Sequence, residues 1–324
     1  MHRSRRPWKN ASVGDWLKPV VWPNGKRFAF TIFDDPDGQS LEMSRVVYRL
    51  LADLGFRTTI AVWPLGARRE PNSGGETCAN PQYVEHVRRL AADGFEVAWH
   101  NATLHTSVRE ETAEGFDRFR GHFGHDPASM ANHYNGEALY WGPERLTGIR
   151  RSIYLLLTRF RSANRHFGHI EGHPYFWGDI CRDRIRYCRN FIFSDLNTLR
   201  MCPWMPYHDP QRPWVNRWFA GSEGAQNRTF VKTISEANQD RLEEEGGASI
   251  MYTHFGHGFV SDGNLDSTFA RLMHRLSKKN GWFVPTHVLL DHLAAERGVF
   301  ELNVGARRRL EWRWLAEKTL RGTS

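Results

Sequence analysis

The chain has 324 residues, 40% of them apolar and 25% charged, with a formal net charge of +8 at pH 7. That balance belongs to a globular protein of one large α/β domain or two modest ones. It excludes a disordered chain, a collagen-like or coiled-coil fibre and a small disulfide-stapled module. The aliphatic run from Ile153 to Leu157 is far short of the roughly 20 residues of a membrane span, so no transmembrane segment is expected.

The basic start Met-His-Arg-Ser-Arg-Arg is not followed by an apolar stretch and does not read as a secretory leader. Cys78, Cys181, Cys188 and Cys202 contain no CxxC pair and read as free thiols in a reducing compartment, so a cytoplasmic location is expected. Much of the positive charge lies near the ends, at Arg3, Arg5, Arg6 and Lys9 and again from Arg307 to Arg321. These read as solvated tails. The sharper alternative is a surface-binding C-terminal tail with Leu310, Trp312, Trp314 and Leu315 as its apolar partners. No nucleic-acid-binding motif is visible, and no nucleic-acid partner is expected.

In chain order, residues 27–33 predict a buried strand that runs into Asp34, Asp35 and the turn Pro36-Asp37-Gly38. Met43, Val47, Leu50, Leu51 and Leu54 mark one helix face, closed by Gly55. Residues 57–63 predict a second strand and 64–80 a loop. Asn80-Pro81 opens a helix with Val84, Val87 and Leu90 inward. Residues 95–99 predict a third strand with His100 at its end, and Ser107 with Glu110 predicts a capping box for the next helix. Residues 130–134 predict a fourth strand. The stretch 140–190 has weak periodicity, and 191–193 predicts a strand. The four prolines of 203–215 predict a loop. Residues 249–253 predict a strand ending at His254, and Leu265, Phe269, Leu272, Met273 and Leu276 predict a helix. A last strand and helix follow over 282–296.

This β-α alternation predicts a parallel sheet or barrel. Asp34, Asp35, His100 and His254 each follow a predicted strand, which is where parallel barrels build active sites. Asp35, His100 and His105 offer one carboxylate and two imidazoles, the donor set of a catalytic zinc site. Asp34 could take a proton from an activated water and His254 could protonate a leaving group, a metal-assisted acyl hydrolysis.

The run Phe30-Thr31-Ile32-Phe33-Asp34-Asp35 resembles the T-F-D-D motif of the polysaccharide deacetylases, the NodB-homology proteins. Gly94 to His100, Ile250 to His254 and Gly281 to Pro285 resemble their later motifs, so the likeness spans about residues 25–298. The resemblance implies a distorted (β/α)7 barrel, a single α/β domain with an irregular insertion. It also implies a divalent metal, most often zinc, and removal of N- or O-acetyl groups from a sugar or related small substrate. It assigns Asp34 as base, Asp35, His100 and His105 as metal ligands, His254 as acid and Tyr134 as the backbone donor to the oxyanion.

The chain departs from the family pattern in two places. Four residues rather than three separate His100 from His105, and Ala131-Asn132-His133-Tyr134 lacks the arginine that pairs with the base. Asn132, His133, Trp63, Trp177, Asp195 and His208 are further candidates for substrate contact. The expected division is a basic arm over 1–24, the barrel over 25–298 and a basic tail over 299–324. A barrel that binds a glycan or partner without hydrolysis is the main alternative. A non-haem iron enzyme is a lesser one, because two histidines and a carboxylate also describe that centre.

Overall fold

The computed structural model describes residues 19–322, so Arg3, Arg5, Arg6 and Lys9 lie outside the described residues. The first strand, β1 (Phe28–Asp34), is buried along its length, as a strand covered on both faces must be. Helix α1 (Leu41–Asp53) starts at Ser40, whose hydroxyl accepts from Met43 N, and buries Val47, Tyr48 and Leu51. β2 (Thr59–Val62), α2 (Pro81–Ala92, capped by Asn80) and β3 (Glu96–Trp99) follow as the sequence predicts.

Helix α3 (Arg109–Phe123) begins one residue later than expected. Glu111, not Glu110, accepts from the backbone N–H at the helix start, that of Val108. Ser107 is absent from the cap because its own N–H goes to Glu137. The fourth strand, β4, is only Ser129–Met130, and the chain leaves the sheet before His133.

Helices α4 (Gly148–Leu157) and α5 (Gly178–Arg184) lie in the weakly periodic stretch and lead to β5 (Tyr187–Phe193). After α6 (Thr198–Met201), the proline-rich segment holds a short strand, β6 (Tyr207–His208), rather than only a loop. β7 (Arg217–Ser222), α7 (Asn227–Thr233) and α8 (Glu236–Glu244) precede β8 (Ala248–Thr253). A small hairpin of β9 (Val260–Ser261) and β10 (Asn264–Leu265) comes before α9 (Ser267–Ser277), so Leu265 lies in a strand, not in the helix. β11 (Gly281–Phe283) and α10 (Thr286–Arg297) complete the barrel region.

Seven strands close a parallel barrel in the order β1-β2-β3-β4-β5-β7-β8, with β8 returning to β1 over Ala29↔Ala248 to Asp34↔Thr253. β11 pairs with the first half of β1 and β2 with its end, which distorts the wall at that seam. The ladder between β5 and β7 shifts register between Arg189 and Ile192.

The segment after residue 298 is not a solvated tail. β12 (Phe300–Glu301) pairs with β6, and α11 (Val304–Arg321) buries Leu310, Trp314 and Leu315. The Trp314 ring lies 5.4 Å from Phe191 of β5. Among the described residues, no helix is long and apolar enough to cross a membrane.

Candidate metal centre

Four loops at the C-terminal ends of β1, β3, β4 and β8 converge. They carry Asp35 and Asp37, His100, His133 and His254. His100 Nε2 lies 3.1 Å from Asp37 Oδ2, and His133 Nε2 lies 3.0 Å from Asp37 Oδ1. One ligand atom from each of Asp37, His100 and His133 lies within 4.8 Å of the others, and all three residues are buried. Burial alone would push the Asp37 carboxyl up, yet the two imidazoles hold it far below the usual carboxylate range. The short His100–Asp37 approach is not aligned as a hydrogen bond. Both His100 nitrogens, Asp37 Oδ2 and His133 Nδ1 are buried without a partner. One carboxylate and two imidazoles this close together, with Asp37 Oδ2 and the His100 nitrogens free of hydrogen bonds, suit a divalent cation such as zinc.

The expected set of Asp35, His100 and His105 does not assemble in this geometry. Asp35 faces His100 Nδ1 at 3.8 Å, but both its oxygens are taken by a fork from Arg189, at 2.9 and 2.5 Å. His105 is buried in the loop beneath, with Nδ1 against Thr106 O, and is not part of the cluster. Asp34 points into the protein. Its oxygens accept from Phe255 N, Gln39 Nε2 and Tyr48 Oη, each at 3.0 Å, and burial raises its carboxyl to about 8.

His254 keeps a place at the centre. Its Nε2 lies 3.8 Å from Asp37 Oδ2, 4.0 Å from Asp35 Oδ2 and 3.3 Å from Tyr252 Oη, while Nδ1 meets Ala225 O at 2.8 Å. Burial lowers its pKa, so at neutral pH the resting ring is neutral, with Nδ1–H toward Ala225 and a lone pair on Nε2.

Asp37 and Arg189 were not singled out as site residues from the sequence. The available signals were an aspartate alternating with Asp35 and a lone arginine inside an apolar strand. Arg189 supplies from β5 the guanidinium that the Ala131–Tyr134 stretch lacks, and it stacks 4.3 Å over Tyr252.

The other candidates fall into two groups. Trp63 is buried under the cluster, its ring 5.6 Å from both His100 and His133. Tyr134 is exposed, its ring 4.3 Å from His133 and its hydroxyl donating to Asn72 O. The rest serve the framework. Asn132 bridges to Leu139 through both backbone groups, and Trp177 is buried and donates to Glu137 O. Asp195 caps Asn197 and pairs with Arg200, and His208 Nδ1 meets Asn216 O on β6.

Two devices fix the ligands. Asn101 adopts a left-handed φ of 61°, donates to Glu137 Oε1 and accepts from His133 N, which ties the two histidine loops together. Buried Glu137 also accepts from Ser107 N and Asn135, and burial raises it to about 7. Glycines lock the aspartate loop. A Cβ on Gly75 would meet Pro36 O at 2.5 Å, and one on Gly256 would meet the Gly38 carbonyl carbon at 2.3 Å. A cavity of about 530 Å³ is walled by Tyr134, the chain neighbour of His133, with Trp141, Tyr154, Arg159, Arg165 and His166.

No protein-family model and no curated protein matches this sequence. Solved structures do. A putative polysaccharide deacetylase from Mycobacterium smegmatis aligns over 88% of this chain and 96% of its own, with a TM-score of 0.51 and 12% identity. Puue allantoinase aligns over 90% and 99%, with a TM-score of 0.50 and 13% identity. The closed barrel fold is shared with these two structures. At these identities the likeness is one of fold, and the chemistry rests on the residues described above.

Proposed function

We propose that the protein is a divalent-metal-dependent hydrolase that removes an acyl group, N- or O-acetyl in the simplest case, from a sugar or similar small substrate. The observation that carries this reading is the set of unpartnered donor atoms on Asp37, His100 and His133 beside the Asp35–Arg189 pair and His254. A cation held there, zinc by the donor set, would polarise the acyl carbonyl and acidify a water.

The chain's own groups do the rest. Arg189 grips both Asp35 oxygens and fixes their direction, and each oxygen keeps a second lone pair for the proton of the attacking water. His254 Nε2 faces the same carboxylate. The proton that Asp35 takes from the water would pass to His254 Nε2, 4.0 Å from Asp35 Oδ2, and from there to the leaving nitrogen or oxygen as the tetrahedral adduct collapses. Asp35 thus takes the base role first expected of Asp34, and Asp37 and His133 take the ligand roles expected of Asp35 and His105. The rings of Tyr134, Trp141 and Tyr154 suit the flat face of a sugar, and the cavity is of ordinary small-ligand size.

Elemental analysis and acetate release test this reading together. The wild type should hold about one zinc-like ion per chain and release acetate from a member of an acetylated-sugar panel. His133→Ala should lose both, and Asp35→Asn should keep the metal and lose turnover. Wild-type protein that takes up no divalent metal on reconstitution would overturn the proposal.

A further inference from the structure

The proposed reaction leaves the stretch around α4 unexplained. From Arg145 to Ile170 the sequence has six arginines and no aspartate or glutamate. Arg150 is buried against Glu311, and Arg151 reaches Glu144. Arg159, Arg161 and Arg165 are exposed, and no acidic partner lies within ion-pair distance among the described residues.

The large apolar residues of the same stretch are also outside. Ile149 is 64% exposed, Leu156 69%, Leu157 55% and Phe160 62%. Single exposed apolar side chains are ordinary on any surface, but four within twelve residues are not. Ile149, Ser152 and Leu156 follow helical spacing on the outer side of α4, while Tyr154 packs 5.5 Å from Trp314 on the inner side. Arg159 and Phe160 have left-handed φ of 49° and 57°, which turns the chain sharply at the end of α4.

Helix α11 extends the surface. Trp312 is 46% exposed, with the Arg150 guanidinium 5.8 Å over its ring. Arg308, one turn earlier, and Arg309 are exposed and pair with no acid among the described residues.

We propose that this surface docks on an anionic lipid bilayer. The aliphatic and aromatic side chains would enter the boundary between headgroups and acyl chains. The arginines, with their planar forks, would meet lipid phosphates, and Trp312 would sit at the same level. Charge argues against a second copy of the chain as the occupant, since a two-fold contact would set the same arginines opposite one another. The cavity walled by Tyr134 and Trp141 lies on this side. Leu157, Arg159, Arg161 and Arg165 line it together with Tyr134, the neighbour of His133. Docking would therefore bring this cavity, and Tyr134 at its edge, to the membrane surface. The sequence had pointed to the C-terminal tail for such a role. Here α11 contributes one tryptophan and two arginines, and α4 with the turn after it contributes the rest.

The test is co-sedimentation of the full chain with phosphatidylcholine vesicles and with vesicles about one-third phosphatidylglycerol. Binding should require the anionic lipid and weaken with salt. The triple change Arg159→Gln, Arg161→Gln, Arg165→Gln should weaken it at least about tenfold. Leu156→Ser with Phe160→Ser should weaken it about tenfold at constant charge. All five side chains are exposed, so circular dichroism and Tm should match wild type. Equal binding to neutral and anionic vesicles, or variants that bind like wild type, overturns the proposal. So does a dimer that Leu156→Ser dissociates, which would assign the face to a second copy. Binding to a DNA duplex as tight as to anionic vesicles would reduce the surface to unspecific charge.

Discussion

Glu96 stands at one end of β3 and His100 at the other, both buried and both among ionisable neighbours. At the Glu96 end both carboxylate oxygens accept hydrogen bonds, although His287 Nδ1 has no aligned partner. The Glu96 carboxylate accepts from Ser129 Oγ at 2.6 Å, Thr59 Oγ1 at 2.8 Å and His287 N at 3.0 Å, with His287 Nδ1 at 3.1 Å. Burial would raise this carboxyl, but those partners hold it below its usual value. At the His100 end, both ring nitrogens, Asp37 Oδ2 and His133 Nδ1 are buried with no hydrogen-bond partner. The same strand therefore ends in a closed polar cluster at the bottom of the barrel and an open one at the top. A saturated buried cluster serves the fold. A buried cluster with polar atoms left without partners is the kind that a bound group would complete.

That contrast can be broken at either end. The largest effects belong to the top. Asp37→Ala should abolish metal binding and with it turnover, and it should also lower the melting temperature of the metal-free protein, because it leaves two buried imidazoles without their carboxylate. Equilibrium dialysis with zinc and a thermal scan read both quantities. Next comes Asp35→Asn, which should lower kcat by about 10²–10⁴-fold with metal content intact. Retained activity would move the base elsewhere.

Glu96→Ala is the mirror experiment. It should cost about 3–5 kcal/mol in denaturant unfolding, because it leaves His287, Thr59 and Ser129 unpaired in the interior, and it should leave metal affinity unchanged. A loss of metal affinity there would mean that the two ends are coupled through β3.

A smaller effect appears in the pH dependence of stability. Burial raises Asp34 to about 8 and Glu137 to about 7, so between about pH 4 and those values the folded chain holds protons that the unfolded chain has lost. Stability therefore falls as pH rises through that window, by up to about 1.4 kcal/mol per pH unit for each group. Asp34→Asn and Glu137→Gln should each flatten the slope. An unchanged slope in both would show that the two carboxyls are ionised throughout, as the donors aimed at them would favour.

The sequence is legible where one physical signal dominates. β1, β3 and β8 are short apolar runs that stop at a polar residue, β2 is one that stops at Trp63-Pro64, and α1, α2 and α9 have both a cap and a clean apolar stripe. β7 escapes because Arg217, Gly221 and Ser222 interrupt its pattern, and α8 because Glu236 to Glu244 is almost wholly polar. His100 and His254, two of the residues that the resemblance points to, lie together near Asp37 in the structure. The finer assignments depend on which way a loop turns. A single residue decides whether an aspartate after β1 points inward, as Asp34 does, or toward the rim, as Asp35 and Asp37 do. Arg189 reaches Asp35 across 154 positions of sequence, and no local pattern reports such a distance.

The glycine contacts around the aspartate loop bear on how that loop is held. Gly75 and Gly256 come so close to Pro36 and Gly38, from two separate segments, that neither position has room for a side chain. Any other residue at either place would have to displace the loop that carries Asp37, so that loop's position depends on two stretches of sequence far from it.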